Sequence, residues 1–270
     1  MTLAVLINGV APQNLTHAIA LNDRGFQYGD GLFETALLTN GRVRFLDAHL
    51  QRLMSGCERL GIPEPKRETL LDEIERVTKS LRSAVLKIIV TRGVGGRGYR
   101  PGPDLQPTRV VAAYAAPEEA STQVSLRWCE TRLGRNARLS GIKHLNRLEQ
   151  VLAQAEQHDS GIEEGLMLDT EGELVCGTAC NVFLARDGAL STPDLRFCGV
   201  RGVMRAQVLG AAAQIGVAAI EEPLWPHDLK SASEVFVTNA VRGVRSVVSL
   251  GETRWDGGPI AHRLRAALGL

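Results

Sequence analysis

Apolar residues along the 270-residue chain recur at two different spacings, and together these predict a mixed α and β protein. In the first half, Ala4 to Ile7 reads as a strand followed by a hairpin turn at Asn8-Gly9. Leu32 to Leu38 and Val43 to Leu46 read as two strands around a second turn, Asn40-Gly41. Leu50, Leu53, Met54, Cys57 and Leu60 form the apolar stripe of a helix from about Ala48 to Leu60, which Gly61-Ile62-Pro63 stops. A second helix covers Glu68 to Leu81. The β-branched runs Val85 to Thr91 and Arg109 to Tyr114 predict buried strands. The second half predicts strands near 124–130, 165–169, 181–185 and 234–239, and helices near 146–158, 203–215 and 259–268. Ala115 to Ala120 reads as a linker. The expected organisation is therefore a domain over 1–115, a linker over 116–121 and a second domain over 122–270.

Composition narrows the function classes. The formal charge is +1 with interspersed signs, which argues against a dedicated nucleic-acid surface. No apolar run approaches the roughly 20 residues that cross a bilayer, and the N-terminus lacks the basic region and cleavage site of a secretory signal, so no membrane partner is expected. Five cysteines, an odd number without a framework pattern, read as reduced thiols of a cytoplasmic protein. Cys176 and Cys180 have no Cys/His pair at zinc spacing, so no metal is expected.

The candidate chemistry lies in a few short segments. Gly141-Ile142-Lys143-His144-Leu145-Asn146-Arg147-Leu148-Glu149-Gln150 puts one lysine just before a helix expected from Asn146 to His158, with Leu145, Leu148, Leu152 and Ala155 as its stripe and Asp159-Ser160-Gly161 as its end. A lysine at such a junction can point its amine into a cleft and form a Schiff base; it can equally be a solvated surface cation. Arg92-Gly93-Val94-Gly95-Gly96-Arg97-Gly98-Tyr99-Arg100 is too rich in glycine for a regular element. It lacks the Gly-Lys-Ser/Thr ending of a phosphate loop, and its guanidinium forks suit a carboxylate, unless it is merely a solvated hairpin. Arg201-Gly202-Val203-Met204-Arg205 precedes a helix whose first amides can bind phosphate. Arg52 flanks an apolar helical stripe, and Thr238-Asn239-Ala240 ends an apolar strand, where ligands are often met.

Taken together, these segments resemble the fold-type IV pyridoxal-phosphate enzymes and, within them, the aminodeoxychorismate lyases. Asp23 to Glu34 is similar to the N-terminal signature of the family, Arg92 to Tyr99 to the glycine-rich loop of the lyases, and Gly141 to Gln150 to the lyase lysine motif. Gly202 to Arg205 and Glu234 to Asn239 follow in the expected order. The resemblance implies an α+β fold with a small N-terminal α/β domain, a larger C-terminal pseudo-barrel domain and pyridoxal 5'-phosphate between them. It implies Lys143 as the Schiff-base lysine and proton-transfer base. Arg52 and the amides of Gly202, Val203 and Met204 would hold the cofactor phosphate, with Asn181, Asn239 and Ala240 beside the cofactor. Arg97 and Tyr99, with Arg92, would bind substrate carboxylate. The activity implied is conversion of 4-amino-4-deoxychorismate to 4-aminobenzoate and pyruvate, a step of folate synthesis, in a homodimer.

One position departs from the pattern. Relatives place a glutamate against the pyridine nitrogen, and a count of 33 residues from Lys143 reaches Cys176. Either Glu173 or Glu171 takes the role after a register shift, or Cys176 stands there and the cofactor is a weaker electron sink. Two other activities stay open at this level: a D-amino-acid or branched-chain transaminase of the same fold, and a non-catalytic homologue that binds the cofactor or nothing.

Overall fold

The computed structural model describes residues 1–118, 121–156 and 161–270. It divides into two units: Met1–Glu118 with Ile142–Asn146, and Glu119–Gly141 with Arg147–Leu270. Five residues around Lys143, which the sequence expectation put in the second domain, group with the first unit. Within the expected linker, residues 119 and 120 lie outside the described residues.

The first unit contains β1 (Thr2–Ile7), α1 (Arg24–Tyr28), β2 (Gly31–Thr39), β3 (Arg42–Val43), α2 (Leu46–Leu60), α3 (Arg67–Thr78), β4 (Ala84–Thr91) and β5 (Thr108–Tyr114). Its strands form an antiparallel sheet in the order β1-β5-β4-β2-β3. The turn between β2 and β3 has positive φ at both Asn40 (50°) and Gly41 (74°), the backbone that an Asn-Gly pair adopts most easily. β3 is shorter than expected, because Phe45 turns into the left-handed region (φ 53°) and Leu46 already begins α2. Leu46 continues the helical stripe through Leu50, Leu53 and Cys57, and this face packs with Leu70 and Ile74 of α3 on the sheet residues Leu86, Ile88 and Val111.

The second unit contains β6 (Gln123–Trp128), α4 (Leu148–Ala155), β7 (Glu164–Leu168), β8 (Leu174–Gly177), β9 (Asn181–Arg186), β10 (Ala189–Pro193), α5 (Val203–Gln214), β11 (Ala219–Glu222), α6 (Pro226–Ser231), β12 (Glu234–Asn239), β13 (Gly243–Leu250), β14 (Thr253–Arg254) and α7 (Pro259–Leu268). The sheet runs β11-β10-β9-β12-β13-β6-β7-β8, with β14 beside β13. It curls so far that β8 comes back against β9, giving a half-barrel. Both faces are dry, and the period of two shows it. Val182, Leu184, Val235 and Val237 point to the inner core, while Phe183, Ala185 and Phe236 point outward beneath α5 and α7. The Phe183 and Phe236 rings stack at 5.0 Å. Buried Glu234 accepts hydrogen bonds from the amides of Ile260 (3.1 Å) and Ala261 (2.7 Å) and so caps α7.

The helix after the lysine motif is shorter than predicted, and its stripe is not in the core. Leu148, Val151 and Leu152 are exposed, and only Ala153 is buried. The expected end at Asp159-Ser160 lies outside the described residues. No helix among the described residues is long and apolar enough to cross a membrane, and all five cysteines are free thiols.

Candidate active site

Lys143 sits on a short extended segment added to the edge of β2. The amide of Phe33 donates to the carbonyl of Lys143 (3.0 Å), and the amide of Leu145 donates to the carbonyl of Gly31 (2.9 Å). Ile142 anchors one end of this segment in the first core, where Gly56 leaves room for it. Asn146 anchors the other, donating to the carbonyl of Gly29 (3.0 Å). The lysine side chain is half-buried, and its Nζ lies 4.3 Å from the centre of the Phe33 ring. The backbone therefore holds the lysine firmly, while its amine rests on a π face that favours a cation.

The next residue of β2 organises Arg52. Glu34 is buried on the otherwise apolar face of β2 formed by Leu32, Ala36 and Leu38, so its carboxylate needs partners. Arg52 supplies a two-pronged pair, Nε to Oε1 at 2.7 Å and Nη2 to Oε2 at 2.6 Å. His49, one helical turn earlier on α2, meets Oε2 through Nδ1 at 2.7 Å. Burial alone would push the Glu34 carboxyl up. The hydrogen bonds of His49 and Arg52 and their charges outweigh it and hold the group below its ordinary 4.5. An ionised carboxylate only accepts, so Nδ1 carries the proton. The sequence reading gave neither Glu34 nor His49 a role of its own. The signal was available as a lone acid in an apolar strand opposite a His and an Arg three apart.

Arg92 has work other than the carboxylate binding expected of it. Its Nε donates to Asp30 (2.7 Å), Nη1 to the carbonyl of Gly61 (2.6 Å) and Nη2 to that of Leu60 (2.7 Å), so the guanidinium closes the C-terminus of α2. Arg97 and Tyr99, in contrast, are exposed at the crown of the same loop, Tyr99 to 87 %.

In the second unit, the first turn of α5 has no side-chain cap. The amides of Val203 and Met204 consequently lack an acceptor within the helix, which is the arrangement that binds anions. Asn181 is buried at the start of β9 and donates to the carbonyl of Val200 (2.9 Å). Any side chain at Gly202 would run into its Oδ1, so a glycine is required there. Asn239 turns the chain after β12, accepting from the amides of Val241 (3.0 Å) and Arg242 (2.7 Å), with Ala240 inside the turn. A cavity of about 430 Å³ opens beside it, lined also by Arg147, Glu164, Thr178 and Cys180.

Cys176 lies on β8 opposite Met167, just after the bulge at Val175, and is buried. Burial, with the neighbouring Cys198, pushes its thiol up to about 12, so it is neutral. The alternative acids are placed elsewhere. Glu173 pairs with Arg135 (3.3 Å) and Arg196 (3.1 Å), and Glu171 is exposed in the turn that Asp169 caps.

The family model for amino-transferase class IV matches residues 31–250. The chain belongs to the class IV amino-transferase family. An aminodeoxychorismate lyase of Vibrio harveyi is 36% identical over 97% of this chain and 98% of its own length. The crystal structure of 4-amino-4-deoxychorismate lyase from Pseudomonas aeruginosa matches with a TM-score of 0.92 at 41% identity, covering 98% of this chain and 97% of that one. A D-alanine aminotransferase of Bacillus licheniformis is 28% identical over 98% of this chain and 96% of its own length. The class IV fold, mixed α and β with one sheet curled into a half-barrel, is thus the one the sequence led us to expect.

Proposed function

We propose that this class IV enzyme is a pyridoxal-phosphate-dependent lyase that converts 4-amino-4-deoxychorismate to 4-aminobenzoate and pyruvate. The observation that carries the reading is the Gly141–Gln150 motif, with its lysine locked to β2, in a chain more similar to the two lyases than to the D-alanine aminotransferase. The donor set suits such a cofactor: a primary amine on a rigid segment, an arginine held by a buried acid, and a helix start that no side chain caps. When bound, pyridoxal phosphate supplies an electron sink for the bond-breaking at the substrate carbon that bears the amino group.

The residues then divide the remaining work. Lys143 would hold the cofactor through its Nζ, and the same amine would take the proton from the ring carbon that bears the substrate amino group. Loss of this proton expels the enolpyruvyl oxygen, the ring becomes aromatic, and the departing enol takes up a proton to become pyruvate. Arg52 and the amides of Val203 and Met204 hold the phosphate, with Gly202 admitting it and Asn181, Asn239 and Ala240 beside the cofactor. Arg97 and Tyr99 orient the substrate carboxylates. Two chains pair as a homodimer that covers Leu148, Val151 and Leu152 of α4. Light scattering is expected to give twice the chain mass, and Leu152→Glu to shift the protein towards monomer.

Incubating purified protein and cofactor with 4-amino-4-deoxychorismate tests the reaction. 4-Aminobenzoate and pyruvate in equal amounts are expected. Exchange between amino acids and keto acids without 4-aminobenzoate would establish the transaminase instead.

Cys176 gives this reading a more specific form. A neutral thiol cannot keep a facing ring nitrogen protonated as a carboxylate does. Elimination tolerates that better than amino-group exchange, so Cys176 favours the lyase outcome. Cys176→Glu is expected to raise the ratio of transaminase to lyase turnover by about tenfold, a change of roughly one pKa unit's worth of interaction. An unchanged ratio in paired assays would remove Cys176 from the account.

A further inference from the structure

The N-terminal signature around Arg24 has no part in the chemistry above, yet Arg24 is one of the most deeply buried arginines in the chain, with 4 % of its surface exposed. It begins α1, a five-residue helix started by the Asp23 side chain on the amide of Gly25 (2.8 Å) and stopped by Gly29 in the left-handed region (φ 64°). All its donor groups point towards the glycine-rich loop or its root. Nε donates to Asp30 (2.9 Å), Nη1 to the carbonyl of Gly98 (3.0 Å) and Nη2 to the carbonyl of Tyr99 (2.8 Å). The guanidinium lies 4.9 Å from the centre of the Tyr28 ring. The Tyr28 hydroxyl accepts the amide of Gly98 (3.1 Å), and its ring meets the edge of Tyr99 at 5.6 Å.

The root of the loop is fastened separately. The amide of Arg24 donates to the carbonyl of Gly93 (2.9 Å), that of Gly95 to Asn22 (3.0 Å) and that of Arg92 to Asp30 (2.9 Å). Gly95 is small for a reason: a Cβ there would lie 2.9 Å from Cδ of Arg24, across the path of that side chain. The crown, residues 98 and 99, is therefore tied to the protein by side chains of α1 rather than by strand pairing. Only a planar fork reaches two successive carbonyls and a carboxylate at once.

We infer that Arg24, assisted by Tyr28, is a positioning residue that seats the crown of the glycine-rich loop and thereby sets the affinity of the enzyme for its carboxylate substrate. This rests on the reading that Arg97 and Tyr99, which flank the clamped Gly98, recognise the carboxylate. The loop backbone loses much of its conformational freedom before substrate arrives, so binding does not have to supply that ordering. Asp30 keeps Arg92 at 2.7 Å when Arg24 is changed, so Arg24→Lys leaves no buried acid without a partner.

The test uses the full-length holoenzyme and three variants, Arg24→Lys, Tyr28→Phe and Arg97→Ala. One readout is independent of turnover: the rate of tryptic cleavage after Arg97, located by mass spectrometry, which follows local opening of the loop. Arg24→Lys is expected to speed that cleavage about tenfold and to raise KM about tenfold with kcat within about threefold; Tyr28→Phe, which removes only a hydroxyl, moves both in the same direction by about threefold. Cleavage at the wild-type rate in both variants overturns the inference. So does faster cleavage with an unchanged KM, provided Arg97→Ala raises KM. If Arg97→Ala leaves KM unchanged, the carboxylate reading falls, and faster cleavage in Arg24→Lys and Tyr28→Phe still upholds the seating role. Should Arg24→Lys fail to fold, Tyr28→Phe decides by the same criteria.

Discussion

Lys143→Ala is expected to lower turnover by at least about four orders of magnitude and to remove the visible absorbance of lysine-bound cofactor, while leaving the fold intact. The loss is chemical because, in the proposed function, the side chain supplies both the amine that holds the cofactor and the base that moves the proton. The fold survives because β2 grips this segment through backbone atoms: the carbonyl of residue 143 accepts the amide of Phe33, and the amide of Leu145 donates to Gly31. Alanine keeps those bonds and gives up the contact of Nζ with the Phe33 ring at 4.3 Å. Absorbance titration with pyridoxal phosphate, thermal unfolding and the 4-aminobenzoate assay check the three parts. Turnover within tenfold of the wild type would exclude Lys143 as the base.

Glu34→Gln is expected to destabilise the first unit by about 3 kcal/mol at neutral pH, because an amide removes the buried charge that His49 and the half-buried Arg52 are paired with. The dependence on pH identifies the cause. The Glu34 carboxyl is held below 4.5 in the folded protein. The unfolded chain then binds its proton more readily than the folded one. The stabilisation is complete above the ordinary value and is lost as pH falls through the lowered folded-state value. Wild type and variant should therefore differ most in urea unfolding at neutral pH and converge on acidification below 4.5. A constant difference across that range would mean that packing, not charge, is responsible. The same substitution should weaken binding of pyridoxal phosphate and spare that of pyridoxal, which has no phosphate for Arg52 to meet.

How much of this was legible beforehand varies from element to element. The strands of the first sheet were readable because β4 and β5 are long, β-branched and buried, so local preference and tertiary need agree. β13 was not read. It is interrupted by Arg245 and Ser246, polar residues that a buried strand tolerates only because Arg245 finds the carbonyls of Ser121 (2.9 Å) and Gln123 (2.8 Å) and the acid of Glu163 (2.8 Å). β8, β10 and β11 are four or five residues long, too short for a period to emerge. α4 misled in the opposite sense: its stripe has helical spacing, yet Leu148, Val151 and Leu152 face outward. A hydrophobic period shows that one face seeks cover and does not say what provides it.

The site divides along the same line. The lysine motif, the glycine-rich loop and the unadorned start of α5 were recognisable in the sequence because each is a local arrangement, a few consecutive residues whose chemistry and backbone needs go together. The partners of those residues were not. Glu34 beneath Arg52, Phe33 beneath Lys143, and Arg24 beneath the loop crown at residues 98 and 99 are joined over separations of 18, 110 and about 75 positions. The same holds for Arg92, whose hydrogen bonds to the carbonyls of Leu60 and Gly61 close α2 across about 30 positions. Sequence alone determined which residues have the chemistry that the proposed function needs. Tertiary structure decided which acceptors each cation meets, because a guanidinium binds whatever acceptors the fold brings within reach.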